Sequence, residues 1–207
     1  MGSENLTRIE TEARAALIST KDYEIALDLT TSERTFTSVS TVTFDCAQPG
    51  ASTWIDLIVG AAGSIQSIVL NGTELPAASY DGARIPLPNL AAHNTLTVAA
   101  TCTYSHSGEG LHRAIDPADS EVYLYSQFEV PDSRRMYAVF EQPDLKANFQ
   151  FSVTAPDNWR VFSVSPSPEP QPVAGRENEP SIARWDFTPT ERISSYLTCL
   201  VAGPYEG

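Results

Sequence analysis

The sequence predicts an all-β fold, either an antiparallel β-sandwich or a saddle-shaped multi-stranded domain, with one short N-terminal helix. Alternating apolar and polar residues recur at intervals of roughly ten to twenty residues, separated by Gly, Pro, Asn and Asp. No segment shows the βαβ alternation that indicates a parallel sheet with crossover helices. With 207 residues, the chain is long enough to bury a substantial core in one large domain.

The helix is predicted near the N-terminus. Thr7 and Glu10 have the spacing of a capping box, in which each side chain bonds the backbone N–H of the other residue. Apolar residues recur around them at roughly helical spacing, namely Leu6, Ile9, Ala13, Ala16 and Leu17. We therefore predict a helix over about residues 7–18, in an N-terminal segment 1–20 that precedes a β domain 21–207.

From Lys21 onward the apolar residues recur at every second position, as in half-buried strands. The strand-like segments are Tyr23–Leu29, Phe36–Phe44, Trp54–Val59, Ile65–Leu70, Leu96–Tyr104, Phe149–Val153, Trp185–Phe187 and Tyr196–Val201. Asn71-Gly72 directly follows one of them and predicts a tight turn into Thr73–Leu75. The proline-rich stretch Pro166–Glu179 is predicted to be an exposed loop or a long hairpin connection rather than a domain linker.

The net charge is −13, from 13 Lys plus Arg against 26 Asp plus Glu. A surface this acidic repels phosphate backbones, and no Lys/Arg cluster offsets the field locally. We therefore expect neither nucleic acid nor membrane as a partner. The charge either serves solubility alone or also favours cationic ligands, such as a peptide with a free amino terminus.

Cys46, Cys102 and Cys199 are odd in number, lie far apart and lack CxxC spacing. Each lies in a strand-like apolar stretch, which predicts the buried, reduced thiols of a cytosolic protein. The N-terminus has no apolar signal region, and no apolar run reaches the ~18 residues needed to cross a bilayer. We therefore expect a cytoplasmic location.

Motifs for catalysis or metal binding are missing from this sequence. None of His93, His106 and His112 belongs to an HExxH pattern, and no Cys/His group has zinc-ligand spacing. GxSxG, P-loop and GxGxxG patterns do not occur. His106 and His112 share a Gly-containing loop and are near enough in sequence to meet, but we expect them to be structural or solvent-exposed rather than metal ligands. We expect the chain alone to catalyse nothing.

The most informative segment runs from Gly110 to Phe149. It contains Gly110-Leu111-His112-Arg113, then Tyr125-Ser126-Gln127-Phe128-Glu129-Val130-Pro131-Asp132-Ser133-Arg134-Arg135, then Phe140-Glu141-Gln142-Pro143-Asp144-Leu145-Lys146-Ala147-Asn148-Phe149. This run resembles the N-terminal domain of the aminopeptidase N family of zinc metallopeptidases. The family pattern there is approximately a Gly-Leu/Phe-Tyr loop, T-Q-F-E-P-x-x-A-R-R, and F-D-E/Q-P-x-x-K-A-x-F.

The resemblance covers essentially the whole chain. The opening Glu4–Arg8 and the strand from Tyr23 look like actinobacterial members, and Tyr196–Gly203 resembles the strand that ends this domain. Two departures are mild, because polarity is largely retained: Ser126 replaces the usual Thr, and Glu141-Gln142 stands where Asp-Glu is common.

The resemblance implies a zinc-dependent aminopeptidase that releases N-terminal amino acids from peptides. The family's GxMEN and HExxH-plus-Glu elements lie in a following thermolysin-like catalytic domain, and this sequence ends at Gly207 before either. We therefore expect zinc in the full-length enzyme and none bound to this fragment. The catalytic domain of the same chain is the expected partner, without which this domain is inactive.

By resemblance, Gln127 and Glu129 are the substrate-binding residues that this domain inserts into the neighbouring active site. Glu129 would accept hydrogen bonds from the α-ammonium group of the peptide N-terminus, and Gln127 would line the pocket for the first side chain. Their spacing of two lets both side chains project from one face of a strand. The alternative is that both are polar positions on an exposed sheet face.

The neighbouring residues have structural explanations. Arg134 and Arg135 are expected to pair with acids such as Asp132, Glu141 or Asp144 and so order the loop, rather than to clamp substrate. Lys146 is likewise expected to be a structural partner. The aromatic residues are core candidates, namely Phe140, Phe149 and Phe151.

Two rival interpretations stay open. A stand-alone β-sandwich module that binds a carbohydrate or a protein predicts its own ligand site and a fully polar outer surface. A complete but divergent enzyme predicts tight zinc binding and peptidase turnover by these residues. The aminopeptidase interpretation instead predicts an apolar or ragged patch, bordering Gln127 and Glu129, where the catalytic domain docks.

Overall fold

The computed structural model describes residues 5–174 and 181–206. Its helix, α1 (Arg8–Leu17), begins at the predicted capping box. The Thr7 N–H donates to Glu10 Oε2 at 2.8 Å, and the Glu10 N–H donates to Thr7 Oγ1 at 3.2 Å. These two bonds satisfy donors that the first helical turn leaves without partners. The predicted helix is thus confirmed. No helix in the described ranges has the length and apolarity needed to cross a membrane.

The rest of the described chain is built mainly from strands. They are β1 (Ile18–Asp28), β2 (Thr35–Cys46), β3 (Thr53–Asp56), β4 (Ser64–Leu70), β5 (Thr73–Glu74), β6 (Arg84–Leu87), β7 (His93–Thr103), β8 (Gly110–Ile115), β9 (Val122–Gln127), β10 (Asn148–Pro156), β11 (Arg160–Phe162), β12 (Gln171–Val173), β13 (Ile182–Asp186) and β14 (Val201–Gly203). Short 3₁₀ turns are Ala77–Ser79, Ser133–Arg135 and Ser195–Leu197. The all-β prediction with one short helix is confirmed.

The strands form three sheets. An eight-stranded sheet has the order β12-β13-β10-β1-β2-β7-β4-β5, a four-stranded sheet has the order β11-β14-β9-β8, and β3 pairs with β6. The pairings are antiparallel except for β1 and β10, which run parallel. That parallel pair departs from a purely antiparallel prediction. It is possible because a very long connection separates the two strands, and parallel neighbours need a crossover rather than a hairpin.

One hydrophobic core cluster takes side chains from all three sheets. Tyr23 lies opposite Phe149 across the β1–β10 pair, and their rings stack with centroids 4.7 Å apart. Tyr137, from the irregular segment before β10, packs edge-on against Phe149 and Phe151. Phe140 packs edge-on against Phe44 of β2. The predicted core roles of Phe140, Phe149 and Phe151 are therefore confirmed by burial.

Several local predictions can be compared with the structure. Asn71 and Gly72 have φ of 52° and 78° and join β4 to β5 as a tight turn, as predicted. The predicted strand Tyr196–Val201 is wrong over most of its length, because Ser195–Leu197 forms a 3₁₀ turn and β14 begins only at Val201. There the Thr198 hydroxyl donates to the Ser195 carbonyl, so a side chain takes a backbone group that a strand would use.

Two further predictions fall on loop-rich parts of the chain. Of the proline-rich stretch, residues 166–174 are largely exposed and include β12, whereas 175–179 lie outside the described residues. The thiols of Cys46 and Cys102 are buried as predicted, but Cys199 is only half-buried.

Candidate functional site

The informative sequence segment folds into the hairpin of β8 and β9. Gly110 pairs with Gln127 at one end, and Ile115 pairs with Val122 at the other. Gly110 has φ of 65°, and a Cβ placed on it would lie 2.7 Å from the Cβ of Arg135. Glycine is therefore needed here both for the left-handed backbone and for the close approach of the following turn. Because Gly110 pairs with Gln127, its close contact with Arg135 holds Gln127 beside the turn Ser133–Arg135.

Gln127 is the last residue of β9, and Glu129 follows in a turn just beyond it. Both side chains are exposed, and Phe128 between them is buried, so the two polar side chains lie on the solvent side. The Glu129 N–H donates to Gln127 Oε1 at 3.1 Å, which ties the two residues together. No ion pair within residues 5–174 and 181–206 involves the Glu129 carboxylate.

The turn that carries Glu129 is anchored at both ends. Phe128 is buried against Tyr137, with ring centroids 6.3 Å apart in an edge-to-face arrangement. The Asp132 N–H donates to the Phe128 carbonyl at 3.5 Å and closes the turn. Asp132 is itself buried and accepts from Arg135 Nε at 2.6 Å. Glu129 is thus an exposed carboxylate on a turn whose two ends are fixed in the protein.

A buried carboxylate lies under this turn. Both oxygens of Glu141 accept hydrogen bonds: Oε2 from the Ser133 hydroxyl and from the Arg134 N–H at 2.8 Å, and Oε1 from the Ser195 hydroxyl at 2.7 Å. Burial raises the pKa of Glu141, while the bonds from Ser133 and Ser195 act in the opposite direction. From the sequence, Glu141 was predicted only to form an ion pair with the side chain of Arg134 or Arg135.

A second buried charge cluster joins α1 to this region. Arg14 Nη1 lies 2.8 Å from Asp56 Oδ2, and Arg14 Nε donates to Gln142 Oε1 at 3.0 Å. The guanidinium also lies over the Trp54 ring, 5.0 Å from its centroid. The Glu141 N–H donates to Asp56 Oδ2 at 3.0 Å, so the two carboxylate clusters are connected. Nothing in the helical spacing of α1 predicted a buried arginine.

The arginines predicted to order the loop behave in two ways. Arg135 pairs with Asp132, as expected, and with Glu109, whose Oε2 lies 3.6 Å from Arg135 Nη2. The Arg134 backbone N–H donates to Glu141 Oε2 at 2.8 Å. Lys146 has a structural role through its backbone carbonyl, which accepts hydrogen bonds from the side chains of Thr20 and Arg192.

The outward face of the four-stranded sheet carries a row of apolar and aromatic side chains. His112, Tyr125, Val201 and Phe162 are neighbours in register across all four strands, and we call them the aromatic row. Tyr125 is 42% exposed and Phe162 is 45% exposed, whereas Leu124, Ala202 and Val161, which neighbour the row on the same strands, are buried. Gln127 lies two residues beyond Tyr125 on β9, so the aromatic row borders the site. Solvent-exposed apolar side chains in register are typical of a surface that another domain covers.

The two histidines predicted to share a loop meet in space, although His112 lies on β8. The rings of His106 and His112 have centroids 6.2 Å apart, and His112 Nδ1 accepts from the Gly108 N–H at 3.0 Å. Burial lowers the pKa of His112, and nearby His106 adds to the shift. In the part of the chain that the structure describes, no group of three or more His, Cys, Asp or Glu side chains could hold a metal ion.

A cavity of about 900 Å³ opens at the other end of β9. Its lining includes Tyr104, Arg113 and Trp159, together with Asp28 at the end of β1 and Glu33 of the following loop. Neither Gln127 nor Glu129 lines it. The predicted site and this cavity are therefore separate features of the domain.

Fold and site together define a class: a β-rich domain that presents an exposed carboxylate and amide beside an apolar sheet face. The comparison with known families makes the class specific. The pattern of the family described as Peptidase M1 N-terminal domain matches residues 19–197. This chain belongs to that family, which confirms the resemblance found in the sequence.

Related proteins carry the aminopeptidase name. The chain is 49% identical over 209 residues to "Aminopeptidase N" of Streptomyces lividans, covering 99% of this chain and 23% of that protein. It is 39% identical over 80 residues to "Aminopeptidase N" of Acetobacter pasteurianus, covering 39% of this chain and 21% of that protein. It is 30% identical over 147 residues to "Probable M1 family aminopeptidase 1" of Encephalitozoon cuniculi, covering 66% of this chain and 16% of that protein. The chain thus spans less than a quarter of the length of each of these relatives.

Proposed function

We propose that this chain is the substrate-gripping domain of a zinc aminopeptidase, and that Glu129 binds the α-ammonium group of the peptide N-terminus. The observation that carries the proposal is the exposed Glu129 carboxylate, which has no ion-pair partner among the described residues and stands on a turn fixed at both ends. A carboxylate held in this way is suited to a cation brought by another molecule. In a peptide, the free N-terminus supplies that cation, and this lets an enzyme measure one residue from the chain end.

Gln127 supports the same proposal. Its Oε1 atom accepts the Glu129 N–H, which leaves the NH₂ group of the amide to donate to a ligand. It lies between Glu129 and Tyr125 on the exposed side of β9. We propose that Gln127 lines the pocket for the first side chain of the peptide.

The aromatic row supports a docked partner. A stand-alone module is expected to have a polar outer surface, but Tyr125 and Phe162 are both more than a third exposed on the outward face. We propose that the catalytic domain of the same polypeptide covers this face and places the scissile bond beside Glu129. The length of the relatives supports this partner, because the chain spans 23% of the Streptomyces protein. With a net charge of −13, we propose neither nucleic acid nor membrane as a partner.

The zinc that the family resemblance implies does not fit this chain, since the described residues offer no group of three potential ligands. We propose that the following domain holds the metal and that this domain contributes orientation of the substrate, not chemistry. One charge-assisted hydrogen bond contributes roughly 1.5–3 kcal/mol. Millimolar affinity needs about 4.1 kcal/mol. The domain alone therefore holds an amine weakly and is inactive. Buried thiols at Cys46 and Cys102 support a reducing, cytoplasmic location.

The test uses the full polypeptide that carries this chain, assayed with an aminoacyl anilide. Glu129→Gln removes the charge that holds the substrate amine, so KM is expected to rise about tenfold to a hundredfold, from the loss of one charge-assisted hydrogen bond. Glu121→Gln is the matched control, because Glu121 is an exposed carboxylate at the far end of β9 and should leave KM unchanged. Equal KM values for the wild type and Glu129→Gln would refute the proposal.

A further inference from the structure

The turn that carries Glu129 is not fixed by packing alone. Among the described residues, a cavity of about 300 Å³ lies beneath it, lined by Val130, Pro131, Asp56 and Glu141 among others. Side chains next to open space have no atoms on one side to hold them in place. Directed hydrogen bonds at the end of the turn must therefore set its position.

Those hydrogen bonds converge on Glu141. The 3₁₀ turn Ser133–Arg135 starts directly after Asp132, which closes the Glu129 turn. The Ser133 hydroxyl and the Arg134 N–H both donate to one oxygen of Glu141. The other oxygen accepts from Ser195, in a separate part of the chain. One buried carboxylate thus joins the segment that follows Glu129 to a fixed part of the core.

A carboxylate suits this position better than its amide. The Arg134 N–H can only donate, so the oxygen that faces it must accept, and the Ser195 hydroxyl occupies the other oxygen. An amide of the same shape has a single acceptor oxygen. With its oxygen toward the Arg134 N–H, its NH₂ group would face Ser195, whose hydroxyl would then have to accept, so the buried Ser195 O–H would lose its acceptor.

We propose that Glu141 is a positioning residue for the amine site, holding the Ser133–Arg135 turn so that the Glu129 carboxylate stays in register with the substrate N-terminus. The inference rests on the proposed function of Glu129. Glu141 contacts no substrate itself and acts only through the turn. Its effect therefore appears in substrate binding and depends on the presence of the Glu129 carboxylate.

The experiment compares Glu141→Gln, Glu129→Gln and the double variant in the full polypeptide, by KM and kcat with an aminoacyl anilide. Glu141→Gln is expected to raise KM about tenfold, with a smaller change in kcat. The double variant is expected to have the KM of Glu129→Gln alone, because a displaced turn has no further effect once its carboxylate is gone.

Two milder variants separate positioning from simple loss of stability. Ser133 and Ser194 are both buried and each donates one hydroxyl hydrogen bond, but Ser133 donates to Glu141 and Ser194 donates to the Pro143 carbonyl. Ser133→Ala is expected to raise KM about threefold, because the Arg134 N–H still holds the turn to Glu141. Ser194→Ala is expected to lower the melting temperature with KM unchanged. This pair also serves as the test if Glu141→Gln does not fold.

The possible results are distinguishable. If Glu129→Gln leaves KM unchanged, the proposed function fails and the role of Glu141 fails with it. If Glu129→Gln raises KM but Glu141→Gln and Ser133→Ala lower only the melting temperature, Glu141 is purely structural and the inference is overturned while the proposed function stands. Additive effects of Glu129→Gln and Glu141→Gln on KM would also overturn it.

Discussion

Replacing Arg14 by Met tests how strongly the buried ion pair holds α1 to the β domain. The Arg14 side chain is 1% exposed, and its guanidinium bonds Asp56 at 2.8 Å and Gln142 at 3.0 Å. Methionine keeps the apolar contact with Trp54 and removes the charge. The Asp56 carboxylate then remains buried without the cation that neutralises it.

The expected cost follows from that leftover charge. Removing one partner of a buried ion pair typically costs about 3–5 kcal/mol, more than the pair contributes net, because the remaining ion has lost its water without compensation. Asp56 keeps hydrogen bonds from Trp54 Nε1 at 3.1 Å and from the Glu141 N–H at 3.0 Å, which favours the lower end of this range. For a domain of this size, about 3–5 kcal/mol lowers the melting temperature by about 6–20 °C.

Urea unfolding followed by circular dichroism measures the change in the free energy of unfolding. Arg8→Met is the matched control on the same helix, because the side chains of Arg8 and Glu12 form a surface pair that is 89% and 63% exposed. Such pairs contribute little to stability, so this variant should unfold at the wild-type midpoint. Adding Asp56→Asn to Arg14→Met should recover part of the lost stability, since no unpaired charge is then buried.

The result that would refute this reasoning is equal stability of Arg14→Met and Arg8→Met. It would mean that α1 is held to the β domain by its apolar contacts alone. A loss in Arg14→Met that Asp56→Asn does not reduce would show that the cost comes from lost packing over Trp54, not from the charge.

Two further predictions concern the site hairpin and the helix cap. Gly110→Ala puts a Cβ 2.7 Å from the Cβ of Arg135, at a backbone φ of 65° that alanine rarely adopts. The melting temperature should therefore fall, and KM in the full polypeptide should rise. Unchanged values for both would contradict the close approach of Gly110 to Arg135. The hydrogen bond from Arg84 lowers the pKa of Glu10 to about 2, so the stability that Glu10 contributes is full above the ordinary pKa of 4.5 and is lost as the pH falls from 4.5 to about 2. Melting curves of Glu10→Gln should show a weaker pH dependence in that window, and an unchanged slope would contradict it. Burial raises the pKa of Glu141, so the effect of Glu141 on stability is opposite to that of Glu10: the protein loses stability as the pH rises through the raised pKa of Glu141.

The sequence could predict the two exposed residues of the candidate site but not the buried Glu141 that bonds the segment after them. Gln127 and Glu129 were chosen from the pattern around them, and their substrate-binding role stays a prediction. Both are exposed on either side of a buried Phe128, but Glu129 lies in a turn beyond β9 and not on the predicted strand. The burial of Glu141 was missed, because a charged residue in a loop gives no local sign of burial. The available signal was its place in the Phe140-Glu141-Gln142-Pro143 motif, in which the other three residues are uncharged.

The sequence by itself determined the features that form within a few residues. The capping box of Thr7 and Glu10, the turn at Asn71-Gly72 and the alternation along β1 and β7 are each encoded locally and are present in the structure. Their physical basis is short-range: a cap or turn bonds backbone groups three or four positions apart, and a strand alternates its faces every second residue.

Only the tertiary structure decided which strands pair and which charges are buried. β10 returns to run parallel to β1, and Arg14 reaches Gln142 across 128 positions of sequence. A buried charge is stable only when its partners surround it, and those partners come from segments far apart along the chain. The burial of Arg14, Asp56 and Glu141 therefore depends on the folded arrangement as a whole, which no local pattern specifies.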